Sequence, residues 1–122
     1  MKKYLLLIFL SVFIGYSQDN GKLEFDNKVV DFGELKEGAQ VKESINFRNS
    51  GNKPVKINKI SSTGHIKIEN SPEGIVASNS NSKIVISYNT KKIGPIRRTL
   101  TVYSDAVNPI VSIKIKGIVK KD

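Results

Sequence analysis

Few side chains in this sequence combine into a reactive set. His65 is the only histidine. Histidine is the usual general base and a common metal ligand. A metal site, however, needs three or four converging ligands. The nearest candidate, Glu69, stands ~13 Å from His65 along an extended segment at ~3.3 Å per residue. His65 therefore reads as an exposed loop residue. Asp26, Asp31, Glu34 and Glu37 fall at strand ends and turns, where solvent reaches them; a pair with raised pKa needs burial or enforced closeness. Serines are abundant, but one histidine and no Gly-x-Ser-x-Gly elbow leave no acyl-transfer triad. There is no glycine-rich phosphate loop. No catalytic residue, cofactor site or metal set is expected. The competing expectation is a metal-binding or hydrolytic enzyme dependent on His65, which requires stoichiometric metal or an activity lost in His65→Ala.

The basic residues carry more information. Twenty Lys and Arg stand against eleven Asp and Glu, and such a surplus favours anionic partners. If the last two strands pair as a hairpin, Arg97 lies near Lys114 and Lys116 on one solvent face. An immunoglobulin-like strand order sets the Pro54 strand beside them and adds Lys56. Lys91 and Lys92 rim one end, and Lys120 and Lys121 lie along the tail. The expected anion-binding face is Lys56, Arg97, Lys114 and Lys116. Its partner is an envelope protein or an anionic glycan or lipid surface. Nucleic acid is not expected, because Tyr103 is the only aromatic on the face and single-strand binding needs stacking platforms.

These residues are positioned by short alternating runs. Leu23 and Phe25 share a face, as do Val41, Ile45 and Phe47, and Val55 and Ile57. Ile84, Ile86 and Tyr88 follow, then Leu100 and Val102, then Val111, Ile113, Ile115 and Val119. Period-two alternation is the mark of half-buried strands. Glu43 breaks the pattern on an inner face, as a residue near a sheet edge can. Ile60 falls off its strand's register. Gly33 after Phe32 fits a bulge or a close backbone approach. Asn49-Ser50-Gly51-Asn52 reads as a hairpin corner, with Gly51 free to take positive φ. Turn clusters recur every 8–12 residues or so, and no helical period is sustained. The expected fold is all-β, an immunoglobulin-like β-sandwich of about seven to eight antiparallel strands. Phe25, Phe32, Phe47 and Tyr88 supply its bulky core volume. The closing strand, Ile110 to Val119, reads as a sheet edge long and apolar enough to need a partner or protective charges, and Lys114, Lys116, Lys120 and Lys121 read as that protection.

The first seventeen residues read as an export signal. Lys2 and Lys3 precede the apolar run Tyr4–Ile14, and Gly15-Tyr16-Ser17 supplies small residues for cleavage. The run is too short for a membrane span, which needs about 20 apolar residues. The expected organisation is a signal peptide, 1–17, and one domain, 18–122, in the periplasm or outside the cell with no integral span. The net charge falls from +9 to about +7 once Lys2 and Lys3 leave. The chain has no cysteine. An exported domain of this composition has no disulfide framework, no thiol redox chemistry and no thiolate metal site.

Asp31-Phe32-Gly33-Glu34-Leu35, the Glu37-Gly38 turn, Ile45-Asn46-Phe47-Arg48-Asn49, Ser50-Gly51 and Pro54-Val55-Lys56-Ile57 occur in that order. Together they resemble a bacterial family of exported domains of unknown function, related to the ASH and major-sperm-protein-type immunoglobulin-like domains. The closing segments, Arg97 to Asp105 and Ile113 to Val119, are similar to that family's last hairpin. The resemblance implies an immunoglobulin-like fold and export. It assigns no substrate or reaction. Members commonly carry Cys-Gly-Cys after the proline-led strand; here Thr63-Gly64-His65 stands in that place. The function expected is an exported, non-enzymatic binding or scaffolding module acting through a basic sheet face or a sheet edge.

Overall fold

The computed structural model describes residues 20–72 and 74–122. The expected leader, residues 1–17, lies outside the described residues. Nine strands follow in chain order: β1 (Leu23–Phe25), β2 (Val29–Lys36), β3 (Gln40–Asn49), β4 (Val55–Ser62), β5 (Ile66–Asn70), β6 (Ile75–Val76), β7 (Asn81–Asn89), β8 (Gly94–Ser104) and β9 (Ile110–Lys120). They form two sheets, ordered β1-β3-β7-β5 and β2-β9-β8-β4-β6. Between the sheets lie the alternating residues of both inner faces, among them Phe47, Ile84, Ile86, Leu100, Val102, Ile113 and Ile115, all buried. Phe25 stacks on Phe47 at 4.9 Å between ring centroids, and Phe32 lies 6.1 Å from Tyr88. The sandwich is the immunoglobulin-like one that the alternation requires.

Breaks in alternation mark real irregularities. Ile57 pairs with Ser104 but Lys59 with Tyr103, so Asn58 is an extra residue and Ile60 returns to the register of Val102. In β2, Asp31 pairs with Lys116 and Glu34 with Ile118, which inserts one residue at Phe32-Gly33. Gly33 takes φ 66° there, and its N–H donates to Asp31 Oδ1 at 2.8 Å.

Three features differ from the sequence-based expectation. First, β9 is not an edge: it lies between β8, antiparallel, and β2, parallel. The first strand of the chain divides between the sheets, β1 joining β3 and β2 crossing over to cover β9. Second, Asn49–Asn52 is not a hairpin corner. β3 and β4 belong to different sheets, so this turn bridges them. Third, Gly51 is required for space and not for positive φ. A Cβ there would collide with the Asn20 carbonyl and come within 2.7 Å of Gly21 Cα.

The bridge is held by Asn49, which is fully buried. Its Oδ1 accepts from Lys22 N at 3.1 Å and Gly51 N at 3.0 Å. Its Nδ2 donates to Lys53 O at 2.7 Å and Val76 O at 3.1 Å. One amide thereby ties the end of β3 to the leading segment, the turn and β6.

Candidate functional site

The solvent-facing side of the five-stranded sheet is built by residues at every second position. Arg97, Thr99, Thr101 and Tyr103 project from β8, and Ser112, Lys114, Lys116 and Ile118 from β9. In the β8–β9 register Arg97 faces Lys116 and Thr99 faces Lys114. Arg97 and Lys114 are therefore diagonal neighbours, roughly 7–8 Å apart in backbone terms. A shallow open trough of about 720 Å³ runs over this face. Arg97, Thr99, Lys114 and Lys116 line it, with Asp31 and Glu34 on the β2 side.

The charges in the trough are not equivalent. Lys116 Nζ lies 3.9 Å from Asp31 Oδ2, and Lys120 Nζ donates to Glu34 Oε1 at 2.8 Å. That hydrogen bond, then the lysine's charge, lowers the Glu34 pKa from its ordinary value, against a smaller opposing effect of desolvation. Across β9 and β2, cations thus meet carboxylates. Towards β8, Arg97 and Lys114 have no carboxylate partner among the described residues. The uncompensated positive charge is concentrated there, with the Thr99 hydroxyl between.

The structure brings together three of the four expected face residues. Lys56 is apart from them. It lies beside Ile57, which pairs with Ser104 at the far end of β8, ~23 Å from Arg97 by strand rise. Its backbone is locked to Asp105, whose Oδ1 accepts from Lys56 N at 2.8 Å. Adjacency of β4 to β8 was the right inference; the direction along the strand was missing from it. Asp31, Glu34 and Thr99 were not singled out as trough residues, although alternation from Arg97 would have found Thr99. The acidic pair required knowing that β2 flanks β9.

The Thr63-Gly64-His65 loop is held by Thr63, whose N–H donates to Thr99 O at 3.1 Å and whose Oγ1 accepts from Thr99 N at 3.0 Å. His65 sits at φ 68°. It is exposed, its ring 6.1 Å from that of Tyr88. Glu69 is engaged elsewhere: Ser87 Oγ donates to it at 2.8 Å, and chiefly this bond lowers its pKa. Among the described residues, no group of three or more His, Cys, Asp or Glu side chains could hold a metal ion. No helix among them is long and apolar enough to cross a membrane.

A two-sheet sandwich in which β2 leaves the sheet of β1 and pairs parallel with β9 is immunoglobulin-like, and solved structures similar to it include PapD-like and ASH-type domains. The seventh PapD-like (ASH) domain of human CEP192 superposes with a TM-score of 0.72 at 15% identity, over 89% of this chain and 92% of that one. A protein of unknown function from Porphyromonas gingivalis W83 superposes with a TM-score of 0.72 at 17% identity, over 87% of this chain. The chain spans about half of that protein, 50% of its length. The Caenorhabditis elegans major-sperm-protein relative WR4 gives a TM-score of 0.52 at 11% identity, over 85% of this chain and 100% of that one. At such identities the likeness shows the fold alone. The chain belongs to the family described as "Protein of unknown function (DUF1573)", whose model matches residues 23–119. No curated protein matches it.

Proposed function

We propose that this domain is an exported, non-enzymatic binding module whose outer sheet face holds an anionic glycan or lipid headgroup at Arg97 and Lys114. The observation that carries the reading is the asymmetry of the trough: its β2 side is neutralised by ion pairs, while Arg97 and Lys114 keep their charge free for an external anion. The supporting chemistry is simple. A carboxylate, sulfate or phosphate on a polymer or membrane gains two charge-assisted contacts and a hydroxyl donor, on a rigid sheet that needs no reordering. Export is supported by the leader-like first seventeen residues.

The test is co-sedimentation of the protein with vesicles of phosphatidylglycerol and phosphatidylcholine, and binding to soluble sulfated glycan in parallel. Binding to the anionic probes is expected at low salt and largely lost at about 1 M salt, where the Debye length is ~3 Å. Arg97→Glu with Lys114→Glu should weaken it roughly tenfold, the scale of two exposed charge contacts reversed. Lys56→Glu should change it little. Binding that is insensitive to salt and to the double reversal rejects the outer-face reading.

A further inference from the structure

The same strand switch that covers β9 uncovers part of β3. β1 pairs with β3 only at Phe47, Arg48 and Asn49, and Asp26 N, just beyond β1, donates to Asn46 O at 3.0 Å. From there the chain leaves for the other sheet. The direction of the β3 backbone groups is fixed by these bonds. Even-numbered residues point towards β1, as Asn46 and Ser50 show, whereas Asn49 N donates to Ser80 O on the opposite side. By alternation, Gln40, Lys42 and Ser44 turn their N–H and C=O groups to an edge that no strand among the described residues covers.

The other open edge on this flank, β2, is defended. Its outward Val29 N–H is capped by Asn27 Oδ1 at 2.9 Å, and Gly33 N–H by Asp31 Oδ1 at 2.8 Å. Its bulge breaks the ladder direction as well. Such devices block strand addition. None of the side-chain hydrogen bonds among the described residues caps an N–H of the β3 edge.

Between the two edges lies a groove of about 480 Å³. Val30 and Ile45, both buried core residues, form its floor, and Asp26, Asp31 and Glu43 stand on its rim with Lys116. Asp31 is matched by Lys116. Asp26 and Glu43 have no ion-pair or hydrogen-bond partner for their carboxylates among the described residues. Glu43 projects from the inner face of β3 between half-buried Val41 and buried Ile45. In a protein that is otherwise strongly basic, this groove is acidic.

We propose that the β3 edge Gln40–Ser44 accepts an extended strand of a partner polypeptide whose inward-facing residues read apolar, Lys or Arg, apolar. The edge spans ~13 Å, enough to pair about five residues. Main-chain bonds supply the affinity, and alternate side chains supply the choice of partner. The apolar residues cover Val41, Ile45 and Val30; the basic residue meets Glu43. The pattern is symmetric, so it holds for either strand direction. A second copy of this chain fits poorly. The self-pairing register with full overlap is centred on Lys42, which sets two lysines directly opposite and Glu43 against Val41; like charges so placed are destabilising.

The probe is a synthetic nonapeptide of alternating valine and threonine with lysine at the central inward position, compared with the same peptide carrying glutamate there. Binding is read by amide hydrogen exchange of the protein. The lysine peptide should bind about tenfold tighter than the glutamate peptide, the scale of a cross-strand pair changed from opposite to like charge. It should also protect the Lys42 and Ser44 amides. Glu43→Lys should invert the preference. Ser44→Pro, tolerable on an unpaired edge, should abolish protection. Arg97→Glu should leave that protection in place and shift peptide affinity by no more than about fivefold, the limit of the exposed Lys116–Asp31 contact, which separates this groove from the outer face. The proposal is overturned if neither peptide protects Gln40–Ser44, or if Glu43→Lys leaves the preference unaltered. It is also overturned if the protein alone forms a dimer that already protects this edge, which assigns the edge to a second copy.

Discussion

Replacing Asn49 by alanine tests whether one buried amide sets the geometry of the sandwich. The substitution removes four side-chain hydrogen bonds, to Lys22 N, Gly51 N, Lys53 O and Val76 O. A net contribution of ~1 kcal/mol each gives about 4 kcal/mol, and a buried group left unpaired costs ~1–3 kcal/mol. Three of the four bonds are part-buried, so water can replace some of them; the bond to Val76 O is buried and stays dry. A loss of about 3–4 kcal/mol is expected, a large share of the ~5–15 kcal/mol typical of a domain. In urea, with a slope of ~1–3 kcal/mol per molar, the midpoint should fall by about 1–4 M at unchanged slope. Asn49→Asp keeps the acceptor but turns oxygen towards the Lys53 and Val76 carbonyls. Its loss should be greatest where the carboxyl is ionised, because protonation restores one donor. A loss below about 1 kcal/mol for Asn49→Ala would mean that solvent substitutes freely, and the argument from burial would fail.

Gly117→Ala should cost about 1–3 kcal/mol by thermal or urea unfolding, because Gly117 has φ 153° and a Cβ would lie 3.0 Å from Gly33 O and 3.1 Å from Phe32 Cβ. Asp31→Asn frees Lys116 from the ion pair; anionic vesicle binding should tighten a few-fold, with stability changed by less than ~1 kcal/mol. Glu34 should titrate below an ordinary glutamate by carbon-detected NMR, and Lys120→Ala should raise its midpoint. Since its folded pKa is depressed, its contribution to stability is complete above the unfolded value and is lost as pH falls through the folded one. Ser87→Ala should likewise raise the Glu69 midpoint.

Alternation along single strands was legible because burial of one face writes itself into every second residue. It placed Ile45, Phe47, Leu100, Val102, Ile113 and Ile115 in the core, and the break at Ile60 marked a bulge. Sheet membership was not legible, because it depends on pairings distant in sequence. That one gap explains several differences. β9 read as an edge because nothing local announces that β2 returns to cover it. Lys56 read as a neighbour of Arg97 because adjacency of β4 and β8 was inferred without the register. Asn49 read as a turn residue, which its position at the end of β3 allows. Its type is equally a turn signal and a buried bridge between sheets, and only the partners on β6 and the leading segment separate the two. Glu43 was the informative anomaly: an acid at an inner-face position is tolerable only where the sheet is open.

The strand switch at Asp26–Lys28 accounts for both candidate surfaces. Carrying β2 across the sandwich buries β9 as a central strand, and this sets Lys114 and Lys116 in the middle of a broad face instead of along an exposed edge. The same crossing leaves Gln40–Ser44 unpaired. The two surfaces have opposite sign and share one boundary, the Asp31–Lys116 pair, which lines both cavities. That pair is exposed and its ends are 3.9 Å apart, so its worth is ~0–1 kcal/mol. Coupling between the surfaces cannot exceed that amount if it runs through this contact alone, a factor of about five at most. An anion on the outer face draws Lys116 from Asp31 and leaves the groove more acidic, so it should favour the basic strand weakly. The two partners are therefore expected to bind together, each slightly strengthening the other. Competition between them would show that one surface, and not two, carries the binding.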